Sequence, residues 1–167
     1  LPDSVINYPV LQHGDNDYYL TRQIDGSYNK NGSIFMDYRN ASDFSDRNTI
    51  IYGHHMRTGN MFGKLVNFKS DSYYQKHDHM FIMTPQVTCR LELLCGAVVE
   101  PDDPIYSIDP TEEALAACMR RSTFQTKLDL PGEEARLVTL STCSYEFEDA
   151  RYIVIGVLTP LEETVKN

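Results

Sequence analysis

Cys143 ends the run TLSTC, and an arginine, Arg151, follows it after a short acidic loop. A thiol becomes an effective nucleophile when a base or a positive charge favours its thiolate form. Arg151 carries a permanent charge on a planar guanidinium that can bind an oxyanion. His54 and His55 end another apolar run, and imidazoles exchange protons near neutral pH. Together these groups predict a nucleophile, an acid/base and an oxyanion-binding set; the alternative is three unrelated residues.

Two predicted strands position Cys143 and Arg151. Residues 136–143 and 151–158 are rich in β-branched and aromatic types and contain no proline. If these strands form a hairpin, Cys143 and Arg151 lie side by side at one rim. His54 and His55 directly follow a predicted strand at 48–53. Because neighbouring strand residues face opposite sides, we expect one histidine in the site and the other in solvent.

The spacing and the charge exclude three other classes of protein. Cysteine phosphatases hold phosphate in a Cys-x5-Arg loop, whereas seven residues, three of them acidic, separate Cys143 from Arg151. Papain-like proteases carry the cysteine before the histidine, and here the order is reversed. A formal net charge of -9 with scattered basic residues excludes nucleic acid as the partner.

The composition predicts one globular domain over residues 1–167. With 167 residues, 41% of them hydrophobic, the chain can bury a substantial core. No apolar run is long enough to span a membrane, and Leu1 looks like the middle of a protein, so we expect any anchor upstream. Cys89, Cys95 and Cys118 are expected to be buried structural thiols.

The predicted fold is mainly β. Eight strands are predicted, a number typical of a small closed barrel, at 5–11, 18–21, 33–38, 48–53, 80–84, 88–99, 136–143 and 151–158. Short helices are predicted at 60–66 and 70–77, and a better one from 109 to 119, where proline and acidic residues fit the first turn. This last helix lies in a long connection, 100–134, predicted either to carry specificity or to cover a sheet edge.

Several stretches together resemble class B sortases, cysteine transpeptidases of Gram-positive cell surfaces. Residues 139–143, TLSTC, match the TLxTC signature that ends in the nucleophile, and Arg151 stands where the family's essential arginine begins the next strand. Residues 52–54, YGH, match the segment with the catalytic histidine. The class B likeness also includes DNDYYL at 15–20, GSIFMDYR at 32–39 and NMF at 60–62. The similarity extends in the family's order from Val5 to Leu158.

The resemblance implies an eight-stranded sortase barrel with its site at the mouth of a groove walled by the long connection. It implies cleavage after threonine in a C-terminal sorting motif of NPxTN, SPxTG or NPxTG type, and transfer to a peptidoglycan amine. Cys143 would be the nucleophile, His54 the general acid and base, and Arg151 the donor to the oxyanion or substrate backbone. No metal or cofactor is implied. The location would be the extracellular face of the Gram-positive membrane, through an upstream anchor.

The resemblance also implies a set of groove residues, namely Asn16, Leu20, Ser141 and Thr142, with Ile105 and Tyr106 on the long connection as weaker candidates. For Leu20 and Ile105, plain core packing is the alternative. Two other functions stay open at this point. One is a class B-like enzyme that polymerises pilins through a pilin lysine, and the other is a surface β-barrel binding module in which Cys143 has no chemical role.

Overall fold

The centre of the molecule is a six-stranded mixed sheet, seen in a computed structural model that describes residues 1–161. The strands are β1 Phe35–Met36, β2 Asn48–Tyr52, β3 His79–Met83, β4 Thr88–Val99, β5 Leu137–Cys143 and β6 Arg151–Pro160. The α-helices are α1 Asp71–Tyr74 and α2 Glu112–Arg120, and 3₁₀ turns occupy Tyr18–Leu20, Leu65–Lys69 and Pro104–Tyr106. The last six residues of the predicted 1–167 domain lie outside the described residues.

The strand order β1-β2-β5-β6-β4-β3 determines which strand ends meet. β2 and β5 are parallel, whereas the other four pairs, β1 with β2, β3 with β4, β4 with β6 and β5 with β6, are antiparallel. Since β2 and β5 run in the same direction, their carboxyl ends lie at the same edge of the sheet. β6 runs in the opposite direction, so its first residue lies at that edge too.

Both faces of the sheet are covered, so the central strands β2 and β5 are buried at every position except the last. On β6, Tyr152 and Val154 contribute to one core cluster, while Ile153 and Ile155 contribute to a second cluster on the opposite face. The first cluster packs against Phe68 and other residues of the segment before β3. The sheet is therefore a rigid platform from which its rim residues project.

The mainly β class predicted from the sequence is confirmed, but the number of strands was wrong. Residues 5–11 contain Pro9, which lacks a backbone donor, and they contribute only the bridge between Leu11 and Phe35. Residues 18–20 form a 3₁₀ turn because the Asp15 carboxylate accepts from the backbone N–H of Tyr18 at 2.7 Å. The predicted strand at 33–38 shortens to β1. The structure is thus a six-stranded sheet in place of eight strands.

The long connection carries helix α2, as predicted. Thr111 caps this helix by accepting from the N–H of Ala114 at 3.2 Å, and Glu112 and Glu113 occupy its first turn. Leu115 packs among β4 and β6 residues in the second core cluster. Helix α2 itself does not cover a sheet edge, because it packs on β4, an interior strand.

The predicted short helices also differ in extent. The helix expected at 60–66 is replaced by the later 3₁₀ turn, and the one expected at 70–77 shortens to α1. Cys89, Cys95 and Cys118 are buried, as predicted. Within residues 1–161, none of the helices has the length and apolar character needed to cross a membrane.

Candidate active site

Cys143 and Arg151 face each other across the β5–β6 hairpin. They are register partners in the antiparallel pair, which confirms the hairpin predicted from the sequence. The backbone N–H of Ser144 donates to the carbonyl of Ala150 at 2.8 Å and closes the loop just beyond the pair. Arg151 Nη1 donates to the carbonyls of Asp149 at 2.7 Å and Ala150 at 3.2 Å. The loop carbonyls therefore hold the guanidinium of the residue that pairs with Cys143.

His54 reaches the same rim from the end of β2. The N–H of Gly53 donates to the Ser141 carbonyl at 3.0 Å and continues the parallel ladder one residue past β2. Position 53 requires glycine, since a Cβ there would lie 2.4 Å from the Ile34 side chain. His54 Nε2 lies 2.7 Å from the Leu20 carbonyl. A carbonyl can only accept, so Nε2 carries a proton and Nδ1 is the bare nitrogen of the neutral ring.

As the alternation of strand residues predicts, His54 lines the cavity and His55 does not, but His55 is half-buried instead of lying in solvent. Its Nδ1 lies 3.0 Å from the backbone carbonyl of Cys143 and donates to it, and its ring packs on Tyr145 at 5.2 Å. His55 departs from the expected solvent position because β2 ends at Tyr52, so residues 54 and 55 no longer alternate as in a strand. His55 is a support for the Cys143 backbone that sequence reasoning missed.

The rim opens into a cavity of about 790 Å³, the volume expected for a small-molecule or peptide site. It brings together eight of the nine site residues predicted from the sequence, namely Asn16, Leu20, His54, Tyr106, Ser141, Thr142, Cys143 and Arg151. Its walls come from the N-terminal segment, from the ends of β2 and β5, and from the long connection.

Ile105 is the ninth predicted residue, and it lies elsewhere. Its side chain is 0% exposed and packs against Leu115 and Cys118 in the second core cluster. The core-packing alternative is therefore correct for Ile105. Leu20, by contrast, is 37% exposed and lines the cavity. Thr142 lines it too, but its hydroxyl is buried and has no hydrogen-bond partner among residues 1–161.

Tyr106 links the long connection to β5 by a side-chain hydrogen bond. Its hydroxyl lies 2.7 Å from Ser141 Oγ, two residues before Cys143. Burial raises the pKa of Tyr106 to about 12, even though the hydrogen bond with Ser141 and the Arg151 charge act in the opposite direction. The phenol therefore stays neutral at physiological pH, so it can both donate and accept at the cavity wall.

A lysine neutralises part of the acidic loop after Cys143. Lys69 contacts the carboxylate of Glu146 and donates to Ser144 Oγ at 2.8 Å, and Ser144 also donates to Glu146. Burial raises the pKa of Glu146, but the hydrogen bonds from Lys69 and Ser144 outweigh it and lower this pKa to about 2. The loop is thus held to the 3₁₀ turn at Leu65–Lys69.

This cluster predicts an acid-dependent difference in stability for Glu146→Gln. The folded pKa of Glu146 is depressed from its usual 4.5, so its contribution is complete above that value and is lost as the pH falls towards about 2. The group is partly exposed, so we expect the variant to be less stable by only about 0.2–1 kcal/mol at pH 7. Thermal unfolding of both proteins at pH 7 and pH 2 checks this. A difference that persists unchanged at pH 2 would contradict it.

The described part of the chain contains no metal-binding cluster of three or more His, Cys, Asp or Glu side chains. His79 Nδ1 lies 2.7 Å from the Asp78 carboxylate. The rim itself supplies a thiol, an imidazole and a guanidinium.

Comparison with known proteins agrees with this arrangement. The family model described as "Sortase domain" matches residues 1–159. Sortase B of Listeria monocytogenes is 34% identical over 165 residues, which cover 93% of this chain and 66% of the relative. A Staphylococcus aureus sortase B-substrate complex superimposes with a TM-score of 0.89 at 28% identity, covering 97% of this chain and 78% of that chain.

A third relative is a Streptococcus pyogenes class B sortase involved in pilus biogenesis. It has a TM-score of 0.85 and 32% identity, and the match covers 95% of this chain and 88% of that chain. The chain belongs to the sortase family, a family of cysteine transpeptidases, and these relatives are its class B members. It spans 66% of the length of the curated relatives that it matches.

Proposed function

We propose that this chain is the catalytic domain, residues 1–167, of a class B sortase that cleaves a C-terminal sorting motif after threonine and transfers the acyl group to a cell-wall amine. The observation that carries the proposal is the convergence of Cys143, His54 and Arg151 on one cavity rim. Sortases are cell-envelope enzymes that act on sorting-motif proteins and a cell-wall amine. The sorting motif is proposed to be of NPxTN, SPxTG or NPxTG type.

In the proposed reaction, Cys143 Sγ attacks the carbonyl carbon of the motif's threonine. A thioester forms and the C–N bond after threonine breaks, while the proton of the Cys143 thiol passes through His54 to the departing amine. The acceptor amine then attacks the thioester, and the proton that it loses passes through His54 to the sulfur and restores the thiol. Since His54 Nε2 is bonded to Leu20, Nδ1 is the nitrogen available for this exchange.

Arg151 is proposed to donate hydrogen bonds to the oxyanion or to the substrate backbone. Its Nη1 is already bonded to loop carbonyls, whereas residues 1–161 offer no hydrogen-bond partner to its Nε or Nη2. The pairing across from Cys143 supports this role, because a donor must lie where negative charge develops.

Arg151→Lys is expected to lower kcat/KM for a sorting-motif peptide by about 10²–10³-fold. A lysine ammonium is a point charge and cannot bind the loop carbonyls and the substrate in one plane. Cleavage of a fluorescence-quenched peptide measures the effect, and Arg120→Lys on the exposed surface of α2 is the matched control. If Arg151→Lys keeps more than about a tenth of the activity, the planar-donor role is wrong.

The peptide is proposed to bind along the cavity walls, where Asn16, Leu20, Ser141, Thr142 and Tyr106 meet. Asn16 lies in the N-terminal segment and Tyr106 on the long connection, and both line the cavity. An extended peptide between them would present its backbone to polar side chains on two sides. The partners would be surface proteins with a sorting motif, at the extracellular face of a Gram-positive membrane, with an anchor outside this sequence.

A second function, pilin polymerisation, is supported by the likeness to the Streptococcus pyogenes enzyme. The two functions share the cleavage step and differ only in the accepting amine. The test supplies one cleavable peptide together with a peptidoglycan-type peptide amine and a lysine-containing pilin segment in equal amounts. A product joined to the peptidoglycan amine supports anchoring, a product joined to the lysine supports polymerisation, and no cleavage of any motif peptide contradicts both.

A further inference from the structure

Asp37 is a fully buried carboxylate in the lining of the cavity. It directly follows β1, and its side chain is 0% exposed. Arg39 donates to it three times, from its backbone N–H, Nε and Nη2, each at 2.9 Å. Tyr52 Oη donates at 2.8 Å and Asn16 Nδ2 at 3.0 Å. A buried charge is costly unless it is paired and hydrogen-bonded, and here both conditions are met.

These donors belong to different walls of the cavity. Asn16 lies in the N-terminal segment, and Tyr52 ends β2. Arg39 Nη2 also donates to the backbone carbonyl of Tyr106 at 3.0 Å, on the long connection. The Asp37 carboxylate thus bonds directly to the N-terminal segment and to the sheet. Through Arg39 it is also linked to the long connection. Removing the Asp37 carboxylate from this network therefore breaks several hydrogen bonds at once.

The network also fixes the side chain of Asn16. Its Nδ2 donates to Asp37, and its Oδ1 accepts from the backbone N–H of Tyr38 at 3.0 Å. Because the two partners have opposite hydrogen-bonding character, the amide has only one orientation. Within residues 1–161 the second Nδ2 hydrogen has no partner, so it can bind a ligand in the cavity that Asn16 lines.

Burial raises the pKa of Asp37, but the hydrogen bonds from Arg39, Tyr52 and Asn16 outweigh it and lower this pKa to about 2. The carboxylate is therefore ionised, and an ionised carboxylate only accepts hydrogen bonds. An amide in its place would present a donor to groups that themselves donate. Asp37→Asn is thus a nearly isosteric change that disrupts the network.

We infer that Asp37 is a positioning residue for the peptide: its carboxylate holds Asn16 directly, and Tyr106 through Arg39, at the separation that an extended peptide substrate requires. Asp37 takes no part in the bond-making at Cys143. This inference rests on the proposed sortase function, and it adds a residue that determines the width and polarity of the groove.

The test measures peptide binding separately from catalysis. In a Cys143→Ala background, fluorescence anisotropy measures the affinity for labelled NPxTN and NPxTG peptides. We expect Asp37→Asn to weaken binding of the best peptide at least tenfold. In the protein that retains Cys143, the same change is expected to leave the rate of alkylation by iodoacetamide within twofold, since this small reagent does not need the groove.

Two further variants separate positioning from a general loss of stability. Asp46→Asn is the matched control, because Asp46 also accepts from an amide and a backbone N–H, at 2.9 and 2.7 Å, but does not line the cavity. Arg39→Gln, at a partly exposed side chain, is the alternative if Asp37→Asn does not fold, and it is expected to weaken binding in the same direction. Unchanged affinity in a folded Asp37 or Arg39 variant, or equal weakening in Asp46→Asn, overturns the inference.

The outcome for Asp37 can be distinguished from that for the proposed function. If the Cys143→Ala protein binds a motif peptide but the protein with its thiol cleaves none, the proposed function fails, while the affinities still decide the role of Asp37. If no motif peptide binds to any folded variant, both proposals are overturned.

Discussion

Replacing Cys143 by alanine is expected to lower kcat/KM for a sorting-motif peptide by at least about 10⁴-fold, because the covalent route is lost entirely. Binding should persist, since the walls of the cavity are unchanged. Peptide cleavage in a fluorescence assay measures the activity, and anisotropy with the same peptide measures the binding. The combination of lost cleavage and retained affinity distinguishes a missing nucleophile from a collapsed site.

The control for this variant is Cys89→Ala. Cys89 is a buried thiol at the start of β4 and is absent from the cavity lining, so its removal should change activity less than twofold. Cleavage that survives in Cys143→Ala would contradict the mechanism. It would assign the nucleophile to a residue other than Cys143.

His54→Gln is expected to lower kcat/KM by about 10²–10⁴-fold. A glutamine amide can still donate to the Leu20 carbonyl, so the geometry of the rim is largely retained, but an amide cannot carry a proton to the leaving amine. Cleavage of the same quenched peptide measures the effect. The change therefore removes proton transfer while it keeps the hydrogen bond seen in the structure.

His77→Gln is the matched control for His54→Gln, since His77 packs on Tyr73 outside the cavity. We expect full activity from it. If His54→Gln also cleaved the peptide at the normal rate, the acid and base would have to be another group, and His55 would be the next candidate because it contacts the Cys143 backbone.

The sequence could predict the Cys143–Arg151 pair because that contact is local. A hairpin of two strongly β-forming runs has few alternatives, and the structure has this register. Joining His54 to the pair needed the parallel β2–β5 contact, in which Tyr52 pairs with Ser141. Spacing along the chain carries no information about such a contact, so the strand-end pattern offered both His54 and His55, and only the family resemblance selected His54.

The wrong predictions, a strand at 18–21 and a groove position for Ile105, also have local causes. An apolar, aromatic run at 18–20 favours a strand, but Asp15 caps the turn there and the chain bends instead. Ile105 follows a proline on an exposed connection, yet its side chain turns into the core behind the cavity wall. The hydrophobic periodicity of a sequence does not show whether a side chain on such a wall points into the cavity or into the core behind it.

Asp37 was missed for another reason. In the sequence, its stretch GSIFMDYR shows only a likeness to class B sequences, and a single acidic residue before an arginine is usually on the surface. Its role depends on Asn16 and Tyr52, which are distant in sequence and adjacent only in the folded chain. Buried polar networks of this kind are visible in structures and not in residue patterns.

Intact-mass spectrometry of the protein mixed with a motif peptide tests the central claim most directly. We predict a mass increase equal to the acyl group of the peptide fragment that ends in threonine, which is the fragment acid less one water. The adduct should map to Cys143 by proteolysis, be absent in Cys143→Ala and be removed by an added amine. Cleavage of the peptide with no adduct on Cys143, or an adduct on another residue, would contradict the account.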